Sequence, residues 1–207
     1  MPLRRYLSAV LAIAALVWLV IRTRAERSAQ RGVVIPASVT ASSVRSCGDP
    51  IIRDNGIGKL RIGMRADSVN SICQVALDTV RPGPEGMSQR VMMVAFPPDA
   101  VEAEIVNDSV WRLDVRTPGI RTTDSLGVGT PIAELLKHGD ARGMIGEGNF
   151  VLIYRNRCGI SFFLSGGIPP GRPRVWNAKE LAKLDPVTKV ERILVYDCAL
   201  RPSFTPS

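Results

Sequence analysis

The segment Leu60-Arg61-Ile62-Gly63-Met64-Arg65-Ala66-Asp67-Ser68-Val69 returns 66 positions later as Leu126-Gly127-Val128-Gly129-Thr130-Pro131-Ile132-Ala133-Glu134-Leu135. Each copy runs apolar, any, apolar, Gly, and then opens a short helical pattern. Each also carries an acidic residue in the first turn (Asp67, Glu134), where a carboxylate complements the helix dipole. Strand-like runs follow both copies. A joint used twice at the head of similar material predicts two modules built on one plan. It holds no reacting groups, so it constrains architecture and not chemistry.

In the first module Val69, Ile72 and Cys73 fall at i, i+3 and i+4, one inward stripe of a helix reaching about residue 75. Prolines and glycines make residues 79–86 a loop, and strands follow at 91–96, 101–106 and 110–116. The last two form a hairpin. With Asn107-Asp108-Ser109 as its turn, Ile105 faces Trp111, Ala103 faces Leu113, and Glu104 and Glu102 face Arg112 and Asp114. That register puts every apolar residue on one face, Trp111 included.

In the second module Thr130 is the expected N-cap and Pro131 the first helical residue, with Gly139 as the stop. Strands are expected at 150–155, 159–164 and 192–198, with an added helix at 177–184. The glycine-dense run 143–148 reads as a flexible connection. The expected fold is therefore α+β: two tandem helix-plus-three-strand repeats forming an antiparallel sheet, with helices packed on one face, after an N-terminal hydrophobic helix. The expected division is 1–25 membrane anchor or signal segment, 26–46 linker, 47–119 first repeat, 120–198 second repeat and 199–207 tail.

Residues 6–21 contain no charge and would span about 24 Å as a helix, close to a bilayer core when tilt and snorkelling arginines are allowed. They read as an uncleaved anchor, with a cleaved secretory signal as the alternative. No lipobox precedes a cysteine nearby. The formal charge of +8 is concentrated at this end: residues 1–31 carry six arginines against Glu26, which leaves the other 176 residues a net of only +3. No basic cluster interleaved with aromatics remains, so a nucleic-acid partner is excluded.

Cys47, Cys73, Cys158 and Cys198 make an even set with no C-x-x-C spacing. They read as disulfides in an oxidising compartment. Of three possible pairings, the repeat favours Cys47–Cys73 and Cys158–Cys198, one inside each module. The body is thus expected in the periplasm or outside the cell, tethered to the cytoplasmic membrane, or secreted if the signal is cleaved. More arginines follow residues 6–21 than precede them, which by the positive-inside rule argues the other way.

The steps Ile62-Gly63-Met64-Arg65-Ala66-Asp67-Ser68-Val69 and Val128-Gly129-Thr130-Pro131-Ile132-Ala133-Glu134-Leu135 resemble those of small exported bacterial modules. These are the BamE/SmpA-like outer-membrane assembly lipoproteins and the beta-lactamase-inhibitor-protein-like tandem domains. The tandem arrangement over residues 47–198 looks more like the latter. The resemblance implies an α+β fold and a binding role, and it transfers no functional residue.

Chemistry is sparse. His138 is the single histidine, and a hydrolase would need it with Asp124 or Asp140 as its orienter. Its place just before Gly139 reads instead as a helix C-terminal cap. No Gly-x-Ser-x-Gly, phosphate loop or metal-ligand spacing is present, so no catalytic, cofactor or metal residue is assigned. Trp111 and Trp176 are the candidate partner-binding aromatics, since tryptophan makes a strong interface anchor. The expected function is a non-catalytic binding or scaffold protein of the envelope with a protein or peptide partner. An envelope hydrolase with a scattered site and a membrane-coupled sensor are the alternatives.

Overall fold

A computed structural model describes residues 45–83, 86–167 and 175–200. The apolar segment 6–21, nearly all of the linker and the tail beyond 200 lie outside them. In chain order the elements are β1 (Ile51–Arg53), β2 (Gly56–Ile57), β3 (Leu60–Arg61), α1 (Ala66–Ile72), β4 (Val75–Pro82), β5 (Ser88–Phe96), β6 (Asp99–Val106), β7 (Ser109–Val115), β8 (Arg121–Thr122), α2 (Ile132–Leu135), β9 (Ala141–Gly146), β10 (Asn149–Tyr154), β11 (Ile160–Leu164), β12 (Val175–Trp176), α3 (Ala178–Leu181) and β13 (Val190–Tyr196).

Nine strands form one sheet in the order β12-β9-β10-β11-β13-β7-β6-β5-β4, and four short ones form a second, β3-β2-β1-β8. This corrects the expected α+β repeats with helices packed on a face: the protein is mostly β. Helix is limited to segments of seven, four and four residues, with a 3-10 turn at Cys198–Leu200, among the described residues. The apolar stripes at Val69 and at Ile132/Leu135 are one or two turns long, and the chain beyond each enters the sheet. Residues 79–82, expected as loop, belong to β4, and residues 143–146, expected as a flexible connection, belong to β9.

Every ladder of the large sheet is antiparallel. It consists of two four-stranded meanders, β4-β5-β6-β7 and β9-β10-β11-β13, joined where β13 pairs with β7, with the two-residue β12 added alongside β9. The pairs Leu113↔Val195, Asp114↔Leu194 and Val115↔Ile193 are arranged about a local twofold through Asp114 and Leu194. One face of this sheet is continuously apolar: Met92, Val94, Ala103 and Leu113 from the first meander, Leu152, Tyr154, Phe162 and Ile193 from the second. Ile52, Ile57 and Leu60 of the small sheet and Val69 and Leu135 of the helices join the same cluster.

The repeated segment does the same job twice. Gly63 N–H donates to Val110 O at 2.8 Å, Val110 N–H to Met64 O at 2.8 Å, and Ala66 N–H to Asp108 O at 3.0 Å. In the second copy Gly129 N–H donates to Val190 O at 2.8 Å, Val190 N–H to Thr130 O at 2.9 Å, and Ile132 N–H to Thr188 O at 2.9 Å. Each copy clamps the start of its meander's last strand. Both need glycine for the turn, at φ +79° (Gly63) and +88° (Gly129). Thr130 is not the N-cap expected of it. Pro131 holds that position, and Thr130 Oγ1 instead accepts from Gly127 N–H at 2.9 Å inside the joint.

The cysteines pair as the repeat favours, Cys47 with Cys73 and Cys158 with Cys198, at Cα separations of 4.4 and 5.2 Å. None is free. Such bridges mark an oxidising, extracytoplasmic compartment. Among the described residues no helix is long and apolar enough to cross a membrane.

Candidate functional site on the open sheet face

The β6–β7 hairpin departs from its expected register in one respect that creates a site. Asn107 and Asp108 both take positive φ, +49° and +59°, so the turn has two central residues and Val106 pairs with Ser109. Farther along, Ala103 still faces Leu113 and Glu104 faces Arg112, but Ile105 pairs with Val110. The one-residue difference is taken up by a bulge at Trp111. The side chain expected among the core residues is thereby turned out, and Trp111 is 42% exposed.

Trp111 stands at the mouth of a pocket of about 270 Å³ on the sheet face opposite the main core. Alternation along β10, β11 and β13 puts Val151, Ile153, Phe163 and Leu194 on this face as a second apolar cluster, with Met144 and Tyr196 packed against it. These strands read as continuously apolar because both of their faces pack. Ser161 Oγ donates to Tyr196 Oη at 3.0 Å within the same wall.

Charge borders the pocket on the side of the first meander. Arg112 is paired with both Glu104 and Glu147. Burial works against the Arg112 charge, but the two glutamates outweigh it and hold its pKa above the ordinary arginine value. The Arg192 guanidinium lies 4.6 Å from the centre of the Phe163 ring, donates to Asp114 Oδ2 at 2.9 Å and reaches Glu147 at 3.6 Å. Glu147 caps the β9–β10 hairpin. The run expected as a flexible connection is thus strand β9 plus a tip tied by ion pairs across the sheet junction. Beyond it, Asp114 is 7% exposed, and its Oδ1 has no hydrogen-bond partner among the described residues.

The other residues singled out from sequence lie elsewhere. Trp176 is a core residue, 1% exposed and edge-on to Phe150 at 4.7 Å between ring centres, so it offers a partner no surface. The His138 imidazole lies between carboxylates, Nδ1 3.0 Å from Asp124 Oδ2 and Nε2 3.4 Å from Glu134 Oε1. Asp124, not Asp140, is its close partner. Asp124 also binds Arg157 through both oxygens and accepts from Thr122 Oγ1 at 2.6 Å. Arg157 holds the Asp124 carboxyl far below the usual carboxylate range, partly opposed by burial. Among the described residues no hydroxyl or thiol meets the imidazole, and the cluster ties α2 to the β8 and β10–β11 turns. No group of three or more ligating side chains is placed to hold a metal ion among the described residues.

Of the pocket residues only Trp111 is a candidate from the sequence; the others carry no sequence assignment. The available signal was the absence of alternation in β10 and β11, where every second residue is apolar beyond what one core requires.

Fold and site together define a disulfide-bridged, extracytoplasmic β protein with one face of its large sheet closed over a core and the other open. No family model matches the chain, and no curated protein matches it in sequence. Among solved structures, the uncharacterised protein YfeY from Escherichia coli is similar, with a TM-score of 0.50 and 17% identity over 71% of this chain and 99% of that one. The likeness is one of fold.

Proposed function

We propose that this protein is a membrane-tethered binding or scaffold protein of the bacterial envelope, non-catalytic, with the open sheet face as its recognition surface for a protein or peptide partner. The observation that carries the reading is Trp111, half-exposed through a bulge and set over an apolar pocket rimmed by the Arg112–Glu147–Arg192 ion pairs. An interface gains most from an aromatic anchor at a desolvated centre with polar groups around it. A partner suited to it presents an apolar side chain between polar ones. Residues 6–21 are the tether in this reading, and the intact mass of the protein recovered from membranes tests that part: loss of the first 25 residues would replace the anchor with a cleaved signal.

The surface is tested with a photoreactive phenylalanine analogue at Trp111 and, separately, at Val187, which is 75% exposed and lies outside the pocket. Irradiation of cells is expected to give one discrete adduct from position 111 that is absent from 187. The same adducts from both positions, or none from 111, would remove the open face as the recognition surface.

A further inference from the structure

The two ends of the nine-stranded sheet are unlike. At one end β12 has two residues among those described. At the other β4 has eight, Val75–Pro82, with β5 as its one strand neighbour among the described residues, six of the eight exposed and Val75 and Thr79 partly covered. Leu77 and Val80 are 52% and 62% exposed. Alternate residues of such a strand direct N–H and C=O into solvent, an open template for another strand. Charges that ordinarily guard an edge are turned inward. Asp78 is held by Arg90 at 2.8 and 3.0 Å, and Arg81 is held by Glu102.

We propose that β4 is a docking strand for a second copy of this chain, pairing antiparallel with the partner's β4 about a twofold at Thr79. A twofold normal to the sheet keeps open face with open face, so only pairings of like parity are allowed. About Thr79, Leu77 lies against the stem of the partner's Arg81, Asp78 against the partner's Val80, and Thr79 against the partner's Thr79. No like charges face each other, and both exposed apolar residues gain a neighbour. A twofold at Asp78 would oppose two carboxylates. A twofold at Val80 would bring Pro82, which has no N–H to give, one pair nearer the centre, against the partner's Asp78. The Thr79-centred register sets Pro82 at the ladder's end, against the partner's Ala76.

The junction has a precedent inside the molecule, where β7 and β13 join antiparallel about Asp114 and Leu194. Pairing through β4 uses the longest edge strand among the described residues and closes at two copies. An extended segment of a different protein is the rival occupant. One strand pair buries less than a standard interface, so covalent trapping is the appropriate readout.

All four native cysteines are paired, so one introduced cysteine is the single free thiol. Directly opposed strand residues have Cα atoms about 4.5–5.5 Å apart, within disulfide reach. Full-length Thr79→Cys, expressed in its own envelope, is expected to give a reduction-sensitive species at twice the chain mass of 22.5 kDa. Val187→Cys is expected to stay monomeric. Leu77→Cys and Arg81→Cys should each dimerise poorly alone and form a mixed dimer when co-expressed, which only the Thr79-centred register allows.

Failure of both Thr79→Cys and the mixed pair, with native bridges intact by mass, would overturn the proposal. So would equal dimer from Val187→Cys, or an adduct to a polypeptide of another mass. The photocrosslinking test at Trp111 reads a different face, so either proposal can fail alone.

Discussion

The meander β4–β7 and the meander β9–β13 bury like residues on one face and carry unlike residues on the other. Toward the main core both present aliphatic and aromatic side chains to a shared cluster. On the open face the first carries Arg81, Glu102, Glu104, Arg112 and Asp114, locked into ion pairs. The second carries Val151, Ile153, Phe163 and Leu194 around a pocket. The core face is fixed because any polar residue there costs desolvation, whereas the open face is free to diverge once the sheet forms. The two characters meet at β7/β13, where Arg192 and Glu147 reach from the apolar half into the charged one.

The largest expected effect separates the faces within a single dipeptide. Phe162 is fully buried in the main core, while neighbouring Phe163 borders the pocket, 6% exposed. Phe162→Ala should cost about 3–5 kcal/mol and Phe163→Ala clearly less, because an open pocket leaves no sealed cavity. Urea denaturation with unchanged m values measures both. Equal losses would mean that the open face is packed as tightly as the core.

Next come the bridges, one in each half. Cys47–Cys73 closes 26 residues and Cys158–Cys198 closes 40. Chain entropy assigns each roughly 3–4 kcal/mol, the longer loop slightly more. Paired serine substitutions, compared by the same denaturation, should lower stability by similar amounts. A loss confined to one bridge would show that the two halves do not depend on their staples alike.

How much of this was legible follows from particular residues. The strands at β5, β6, β7 and β13 are legible in the sequence, and β10 and β11 as short apolar runs between turn residues, because these are local signals. The cysteine pairing is legible because the repeat places one pair in each module. β4 and β9 are not legible. β4 is exposed on both sides and ends in proline, and β9 contains Gly143 and Gly146, so neither has an apolar period to find. Missing them made two helix turns look like the main content of each repeat. Gly143 is required because a Cβ there would lie 2.7 Å from Phe150 and 2.8 Å from Leu181, a contact visible only after folding. The site was hidden by one residue: an Asn-Asp two-residue turn in place of a three-residue one, absorbed as the bulge that exposes Trp111.

The duplicated joint offers a smaller and more symmetrical comparison. Gly63 and Gly129 share a left-handed conformation, and a Cβ built on either meets nothing within 4 Å. Alanine at each position should therefore report backbone strain alone, about 1–2 kcal/mol. The two losses should agree within experimental error. A much larger loss at one would show that its copy of the joint bears packing the other does not.

The smallest effect is a pH dependence that sets one ion pair in each half side by side. Asp78 is held below the usual carboxylate range chiefly by its hydrogen bond to Arg90, and Asp124 further below it by Arg157. A carboxyl whose pKa is lower folded than unfolded contributes stability above its unfolded value of about 3.9. That contribution fades as pH falls through this value toward the folded one. Arg157→Gln should therefore destabilise at neutral pH, and its penalty should shrink below about pH 4 as Asp124 takes up a proton in the unfolded chain. What persists in acid is the stacking of Arg157 on Tyr154, 5.1 Å from the ring centre, which does not depend on the carboxyl. Arg90→Gln should lose less at neutral pH, since Asp78 is the more exposed carboxylate, 34% against 24%, and solvent screens its pair. Denaturation series of both variants between neutral and acid pH measure the difference. A penalty for Arg157→Gln that stays constant across the range would assign it to stacking and remove the Asp124 pair from the balance.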